Sequence, residues 1–287
     1  MSTLLVLPKL NVQKANAHSS SISVGFPAMT GFFGFVHALE RHINQTGRHV
    51  KMPRFGVAVY DVVNHRHREP ADRFYSLKDV GKPLKADGGR QSTVEFATCD
   101  ITITLAIEIE TELDEVDLVT IVQQLLHSKM RLCGGDIIGF NKPWVCDIST
   151  DEKFRWFKRI LMPAQIMTSR HSLLLEHSKQ TQDSLESILS LLSVHYSATG
   201  EGDNIQWQGA KIEAGWLVPI GVGYYALSDV KAASNMLHTR DNVTPHCFVE
   251  SLISIGEFKL SYRLNSIDEL LWSATYDEKH NLYQLEQ

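Results

Sequence analysis

Residues 101–110 read ITITLAIEIE. Ile101, Ile103, Leu105, Ile107 and Ile109 alternate with Thr102, Thr104, Ala106, Glu108 and Glu110. Successive side chains leave a pleated backbone on opposite faces, so this period of two predicts a β-strand with one buried and one wet face. Downstream the period changes. From Leu113 to Leu132 the residues Val116, Val119, Val122, Leu126 and Met130 recur at helical spacing, and Gly134 and Gly135 end the run. Asp136 to Phe140 follows as a short strand candidate.

Upstream, Phe55 to Val63 (FGVAVYDVV) is an apolar, β-branched run suited to a buried strand. Residues 30–43 carry Phe32, Phe33, Val36, Leu39 and Ile43 at helical spacing, with Thr30 as the expected N-cap and Gly31 and Gly34 weakening the start. Residues 3–13, TLLVLPKLNVQ, form the first strand candidate. The order strand, helix, strand, strand, helix, strand predicts an α+β fold with a ferredoxin-like (RRM-like) βαββαβ core. Residues 65–93 are far more than a hairpin needs, and a connection of that length reads as a functional or disordered insertion.

This division gives a core over 1–145, that insertion included, and an irregular mixed C-terminal region over 146–287 that packs on it. In the second part, FRWFKR (154–159) reads as a basic helix or turn and LMPAQIMTS (161–169) as a strand. A helix with a possible break is expected over 169–194, and short helices over Phe248 to Ile255 and Ile267 to Trp272.

With 287 residues, 43% of them hydrophobic, the chain is long enough to bury a full core. Its net charge of -5 argues against a uniformly basic nucleic-acid binder, but the charge is segregated. Arg48 to Arg90 holds ten Lys/Arg against five Asp/Glu, whereas Asp100 to Asp117 holds seven acids and no base. A local basic surface is therefore compatible with the composition. Cys99, Cys133, Cys146 and Cys247 never form a CxxC pair, which suggests neither a zinc site nor a disulfide framework and makes reduced, cytoplasmic thiols the expectation. No apolar stretch approaches the ~20 residues of a membrane span.

Enzyme signatures are weak. Gly221 to Ala226, GVGYYA, matches a GxGxxA fingerprint but lacks the βαβ context, so it reads as an ordered loop. His37 and His42 flank Glu40 without the HExxH spacing, and neither GxSxG nor GxxxxGK[ST] occurs. No cofactor is implied. Three stretches suit RNA instead. Arg66 and Arg68, then Lys78, Lys82, Lys85 and Arg90, lie in the long connection with Phe74 and Tyr75, a mixture of cations and aromatic rings fit for single strands. Arg155, Lys158 and Arg159 form a denser group, and Arg131 precedes the Gly134-Gly135 turn, where a phosphate could approach the backbone.

Leu7-Pro8-Lys9-Leu10, Asn16-Ala17 with Ser19-Ser20, Gly25-Phe26-Pro27 and Gly34-Phe35-Val36-His37-Ala38-Leu39 then carry a resemblance. It continues through Met130-Arg131-Leu132, Gly215 to Ile220, Arg240-Asp241, Thr244-Pro245, Phe248-Val249-Glu250 and Leu270-Leu271-Trp272. In these motifs the chain resembles the second subunit of the type I-F (Csy) CRISPR complex, a Cas-five-like branch of the RAMP superfamily. The resemblance implies a noncatalytic subunit that binds and caps the 5′ handle of the CRISPR RNA. The implied partners are the large subunit, the backbone subunits and, through the assembly, target DNA. It adds Asn16, His18, Ser19 and Ser20 to the expected RNA contacts, and likens 65–93 to a thumb and Gly134-Gly135 to a glycine-rich loop. Trp216, Phe248, Phe258 and Trp272 are the expected partner interface. The alternative is a metal-independent RNA endonuclease, for which His18, His65, His67 and Tyr75 are the available groups.

Overall fold

The computed structural model describes residues 3–45, 47–77, 84–90, 92, 96–200, 205–237, 239 and 241–287. Lys78, Lys82, Val94 and Arg240 lie outside the described residues. The chain opens with β1 (Thr3–Asn16), β2 (His18–Ser20), β3 (Ser23–Val24), α1 (Met29–Asn44), β4 (Val50–Lys51) and β5 (Arg54–Asn64). It continues through β6 (Arg66–His67), β7 (Ser76–Leu77), β8 (Thr98–Thr111), α2 (Glu115–Ser128), β9 (Arg131–Leu132), β10 (Gly135–Gly139) and β11 (Trp144–Asp147). Then come α3 (Asp151–Leu161), β12 (Gln165–Ser169), α4 (His171–Thr181), α5 (Ser184–Leu192), β13 (His195–Thr199) and β14 (Gln206–Ala210). The last strands are β15 (Leu217–Ala226), β16 (Val249–Leu260), β17 (Trp272–Asp277) and β18 (Leu282–Glu286).

The alternating strand is central. β8 pairs antiparallel with β1 (Leu5↔Ile107) and with β5 (Val57↔Leu105), while β1 pairs with β10 (Val12↔Ile137), so the spatial order is β5-β8-β1-β10. α1 and α2 cover one face, where Phe32, Val36, Leu39, Leu118 and Val122 meet Leu5, Leu7, Val57 and Leu105. α2 starts on Asp114, whose carboxylate accepts from the Val116 N–H at 3.0 Å. α1 starts on Ala28 with no side-chain cap, so Thr30 is a residue of the first turn and not the expected N-cap.

The opposite face departs from the expectation of a wet surface. Thr104 and Ala106 are both 2% exposed. The reason is α3, whose Phe154, Phe157 and Leu161 form a stripe packed on Leu4, Val6, Ala58 and Ala106. The 169–194 helix divides into α4 and α5 at Gln182, which has φ 57°, and Asp183 caps α5 through Leu185 N–H at 2.8 Å.

The C-terminal region is a set of antiparallel strands. The helix expected from Phe248 to Ile255 falls in β16, and Ile267 to Trp272 is turn running into β17. The loop expected at 221–226 lies within β15. These runs are decided by partners remote in sequence, such as Ile220↔Ser254 and Tyr224↔Tyr283. Close backbone approach explains the GVG motif: a Cβ on Gly223 would stand 2.1 Å from the Tyr283 carbonyl oxygen.

β5 joins the two halves. On the edge away from β8 it pairs with β17 at Phe55↔Trp272 and with β12 at Val59↔Gln165. β12, β16, β15, β18 and β17 pair in succession, so with β5 they close a ring. Trp272 is fully buried there and its indole N–H donates to the Met167 carbonyl at 3.0 Å. It is a core residue, and the sequence-based assignment to an exposed interface is corrected accordingly. Among the described residues no helix is long and apolar enough to cross a membrane.

Candidate nucleic-acid interface

The β2–β3 hairpin, the start of α1 and the β9–β10 turn enclose an open cleft of about 500 Å³. Asn16, His18, Ser19, Ser20, Arg131 and Gly134 all line it. The sequence places the first four and the last two of these residues more than a hundred positions apart, and the register of β1 against β10 brings them together. The Asn16 N–H donates to the Cys133 carbonyl at 2.8 Å, which ties the end of β1 to the turn. The His18 N–H donates to Asn16 Oδ1 at 3.0 Å, and the Ser19 and Ser23 hydroxyls share a short hydrogen bond.

The turn itself follows from its residues. Cys133 and Gly134 have φ 49° and 79°, the positive pair that a two-residue hairpin turn between Leu132 and Gly135 requires. A Cβ on Gly134 meets nothing within 4 Å, so this position faces open space; one on Gly135 would stand 2.6 Å from the Gln13 carbonyl. Gly134 is thus the approachable residue and Gly135 the packed one. Arg131 Nε lies 3.0 Å from Asp136 Oδ1 with both side chains more than half exposed, an ion pair that solvent largely screens.

Thr30, Gly31, Gly34, Tyr224 and Ser251 also line the cleft and were not singled out for it from sequence. Gly31 and Gly34 are three apart and therefore share a helix face. Two glycines on one face was the available signal, since the helix loses stability there unless something approaches it.

The second expected group stands apart in the β6–β7 hairpin. The Arg66 guanidinium lies 4.2 Å from the Tyr75 ring centroid and that of Arg68 5.0 Å from the same ring, while Phe74 is 75% exposed. Lys85 and Arg90 are exposed. His65 anchors the hairpin's base, with Nδ1 2.8 Å from Thr98 Oγ1 and Nε2 3.1 Å from Asp100 Oδ1. Burial alone would raise the Asp100 carboxyl, but the Lys14 N–H and the His65 ring outweigh it and hold it below the usual carboxylate range.

The third group has structural duties. Lys158 Nζ donates to the Leu264 carbonyl at 2.6 Å, and Arg155 Nε reaches the Asp151 carbonyl at 3.4 Å, whereas Arg159 is exposed. Trp216 and Phe248 are each 56% exposed, and Phe258 is half-buried between Trp216 and Phe26. Glu40 accepts the Met52 N–H at 2.6 Å, and His37 stacks on Phe33, so both have local partners. Among the described residues no group of three or more His, Cys, Asp or Glu could hold a metal.

A family described as CRISPR-associated protein (Cas_Csy2) matches residues 5–285. The chain is similar to CRISPR-associated protein Csy2 of Pseudomonas aeruginosa (strain UCBPP-PA14), with 29% identity over 98% of this chain and 94% of that relative. Because the family match runs through every element that builds the cleft, from β1 to β18, the chain belongs to the Csy2 family of CRISPR-associated proteins.

Proposed function

We propose that this chain is a noncatalytic, RNA-binding subunit of a type I-F CRISPR effector complex, which holds the 5′ handle of the CRISPR RNA and pairs with the large subunit in the cytoplasm. The observation that carries the reading is the convergence of Asn16, His18, Ser19, Ser20, Arg131 and Gly134 on one cleft. Hydroxyl and amide donors, one exposed guanidinium and a helix face open at Gly34 suit a sugar–phosphate strand, whose oxygens accept from such donors. No side-chain oxygen caps the α1 terminus at this cleft, which suits an approaching phosphate.

The order β5-β8-β1-β10, with α1 and α2 on one face, supports a ferredoxin-like core of the RAMP kind. Exposed cations and rings on β6–β7 support a thumb that grips the RNA a second time. Exposed Phe248, with Leu185 and Leu189 of α5, supports contact with a protein subunit, and target DNA is met only through the assembly.

Co-expression with the other subunits and a CRISPR array tests the reading. The purified assembly is expected to carry CRISPR RNA, and the combined Asn16→Ala, Ser20→Ala and Arg131→Ala variant to lose most of it. Retention of the full RNA complement by that variant would sink the cleft assignment. Site-specific cleavage of repeat RNA by the pure chain, abolished by His18→Ala, would replace the reading with an endonuclease.

A further inference from the structure

The β13–β14 hairpin stands outside the large sheet. Among the described residues its two strands pair only with each other, and all ten of their residues are exposed. The register sets Tyr196 opposite Gly209 and Ala198 opposite Trp207. Opposed residues of an antiparallel pair share a face, and the next residue along takes the other. Tyr196, Ala198, Trp207 and Gly209 therefore make one face, with Ser197, Thr199, Gln206 and Gln208 on its reverse. The hairpin is amphipathic, yet its apolar face is uncovered: Tyr196 and Trp207 are each 69% exposed.

We propose that this face is a protein-docking arm, which seats Tyr196 and Trp207 in an apolar slot with a neutral or basic rim on another protein of the assembly. The inference rests on the reading of the chain as one subunit of a larger complex. It involves none of the residues that the sequence had marked for a partner.

An isolated two-stranded hairpin is marginal in water and gains stability when something packs on its hydrophobic face. The two rings offer on the order of 300 Å² for that contact, which reaches the size of the largest apolar patch on an ordinary monomer. Gly209 gives the patch its shape. A Cβ there would stand 2.9 Å from the Tyr196 ring, so the ring lies across bare backbone and is held before any partner arrives. A side chain ordered in advance loses less freedom on docking.

Charge decides the class of partner. Neither strand carries Lys, Arg, Asp or Glu, and residues 195–211 hold Lys211 alone against Glu201 and Asp203. A nucleic-acid strand needs cations for its phosphates, and the rings that stack its bases sit in positively charged grooves. Here the balance is slightly acidic, so the rings suit a protein. A second copy of the chain fits less well, because a two-fold contact would set the same acidic segment against itself. Trp and Tyr are also the side chains that most often dominate the energy of a protein contact.

The complex, co-expressed with a CRISPR array, can be purified with the photo-crosslinking residue benzoylphenylalanine at position 207, or at position 208 as the control on the reverse face. Irradiation and mass spectrometry are expected to join position 207 to another subunit and position 208 to none. Mass photometry on dilution supplies a second readout. Tyr196→Ala combined with Trp207→Ala is expected to raise the concentration at which the assembly loses a subunit by about 30-fold or more, the effect of truncating a strong anchor. Ser197→Ala combined with Gln208→Ala is expected to leave it unchanged. Both double variants are checked for a wild-type melting curve of the pure chain, which side chains so exposed should preserve.

Crosslinks from position 207 to RNA, or to a second copy of the chain, overturn the proposal. So does an assembly that dilutes like wild type without the two rings; if that assembly still carries its RNA, the RNA-binding reading stands. A wild-type chain that enters no complex and carries no RNA brings down both.

Discussion

Trp272 illustrates how one side chain can serve both halves of the chain. It pairs with Phe55 across β17 and β5, and its indole N–H reaches back to Met167 on β12. Trp272→Ala removes a fully buried ring and leaves the Met167 carbonyl without that donor, so a loss of about 3–5 kcal/mol is expected in urea unfolding. The thiols respond to burial in a different way. Burial pushes Cys99 up to about 12, with the Asp100 carboxylate adding to it, and pushes Cys133 well above its usual value. Only the thiolate reacts, so Cys99 and Cys133 are expected to resist iodoacetamide at pH 8 in the folded chain and to label once urea unfolds it; mass spectrometry reads both states.

Asp147 gives a pH dependence at the same scale. The Lys153 ammonium at 2.5 Å and the Ser149 N–H and hydroxyl hold its carboxyl down at about 2, below an ordinary value of 3.8. A depressed carboxyl contributes stability that is present above the ordinary value and fades as pH falls towards the folded one. Asp147→Asn is therefore expected to flatten the stability profile between those two values, read by thermal melting across the acid range, and to leave its shape above pH 5 unchanged.

At the scale of elements, the β6–β7 hairpin and the β9–β10 turn make separable claims. Arg66, Arg68, Lys85 and Arg90 are exposed cations, and each one that contacts phosphate releases counterions when a strand binds. Replacing all four by Ala is expected to reduce the salt slope of RNA binding by about 0.7 per true contact, while Tyr75→Ala lowers affinity by about 1–3 kcal/mol at unchanged slope. Survival of both affinity and slope would remove the hairpin from the RNA path. Gly134→Ala asks a residue with a Cβ to hold a φ of 79°, which costs about 1–2 kcal/mol, whereas Gly135→Ala drives a Cβ to 2.6 Å from the Gln13 carbonyl and is expected to cost more in the same denaturant assay.

The first six major elements were legible because local period and final conformation agree in them, although Val116, read on the apolar face of α2, is 70% exposed. ITITLAIEIE alternates and is a strand; Val119, Val122 and Leu126 keep helical spacing and face the core. Agreement failed where tertiary partners override the local pattern. The second face of β8 looked wet, but Phe154 and Phe157 cover it from a helix whose basic residues had suggested RNA. β15 and β16 are strands because each is the other's partner, and no spacing within Phe248 to Ile255 reveals that. The cleft was legible in part: Asn16, His18, Ser19, Ser20, Arg131 and Gly134 were each named as expected contacts, while Gly31, Gly34 and Tyr224 were read only as parts of their elements. Their convergence depends on strand register, which a list of motifs does not contain.

At the scale of the whole molecule, the sheet is continuous across the chain. β5 contributes Val57 and Phe55 to the core under α1 and α2 and Ala58 to the cluster under α3, and it closes the C-terminal ring. Neither half can lose its strands without exposing an edge and a hydrophobic face of the other. Urea unfolding followed by tryptophan fluorescence and by far-ultraviolet dichroism is therefore expected to give coincident single transitions. Two separated transitions would mean that residues 1–145 and 146–287 fold as independent units.

The double use of β5 also orders events on the ribosome. Its inner edge can pair with β8 soon after both have emerged, but its outer edge waits for β12 and, at Phe55 and Arg54, for β17 near residue 272. Until then a nascent chain carries an unpaired, apolar strand edge, the kind of surface that recruits chaperones or sticks to its neighbours. Translation pauses or premature stops between Ser169 and Trp272 would thus yield aggregation-prone fragments, and expression yield should depend more on uninterrupted synthesis of the last two strands than on any residue of the cleft.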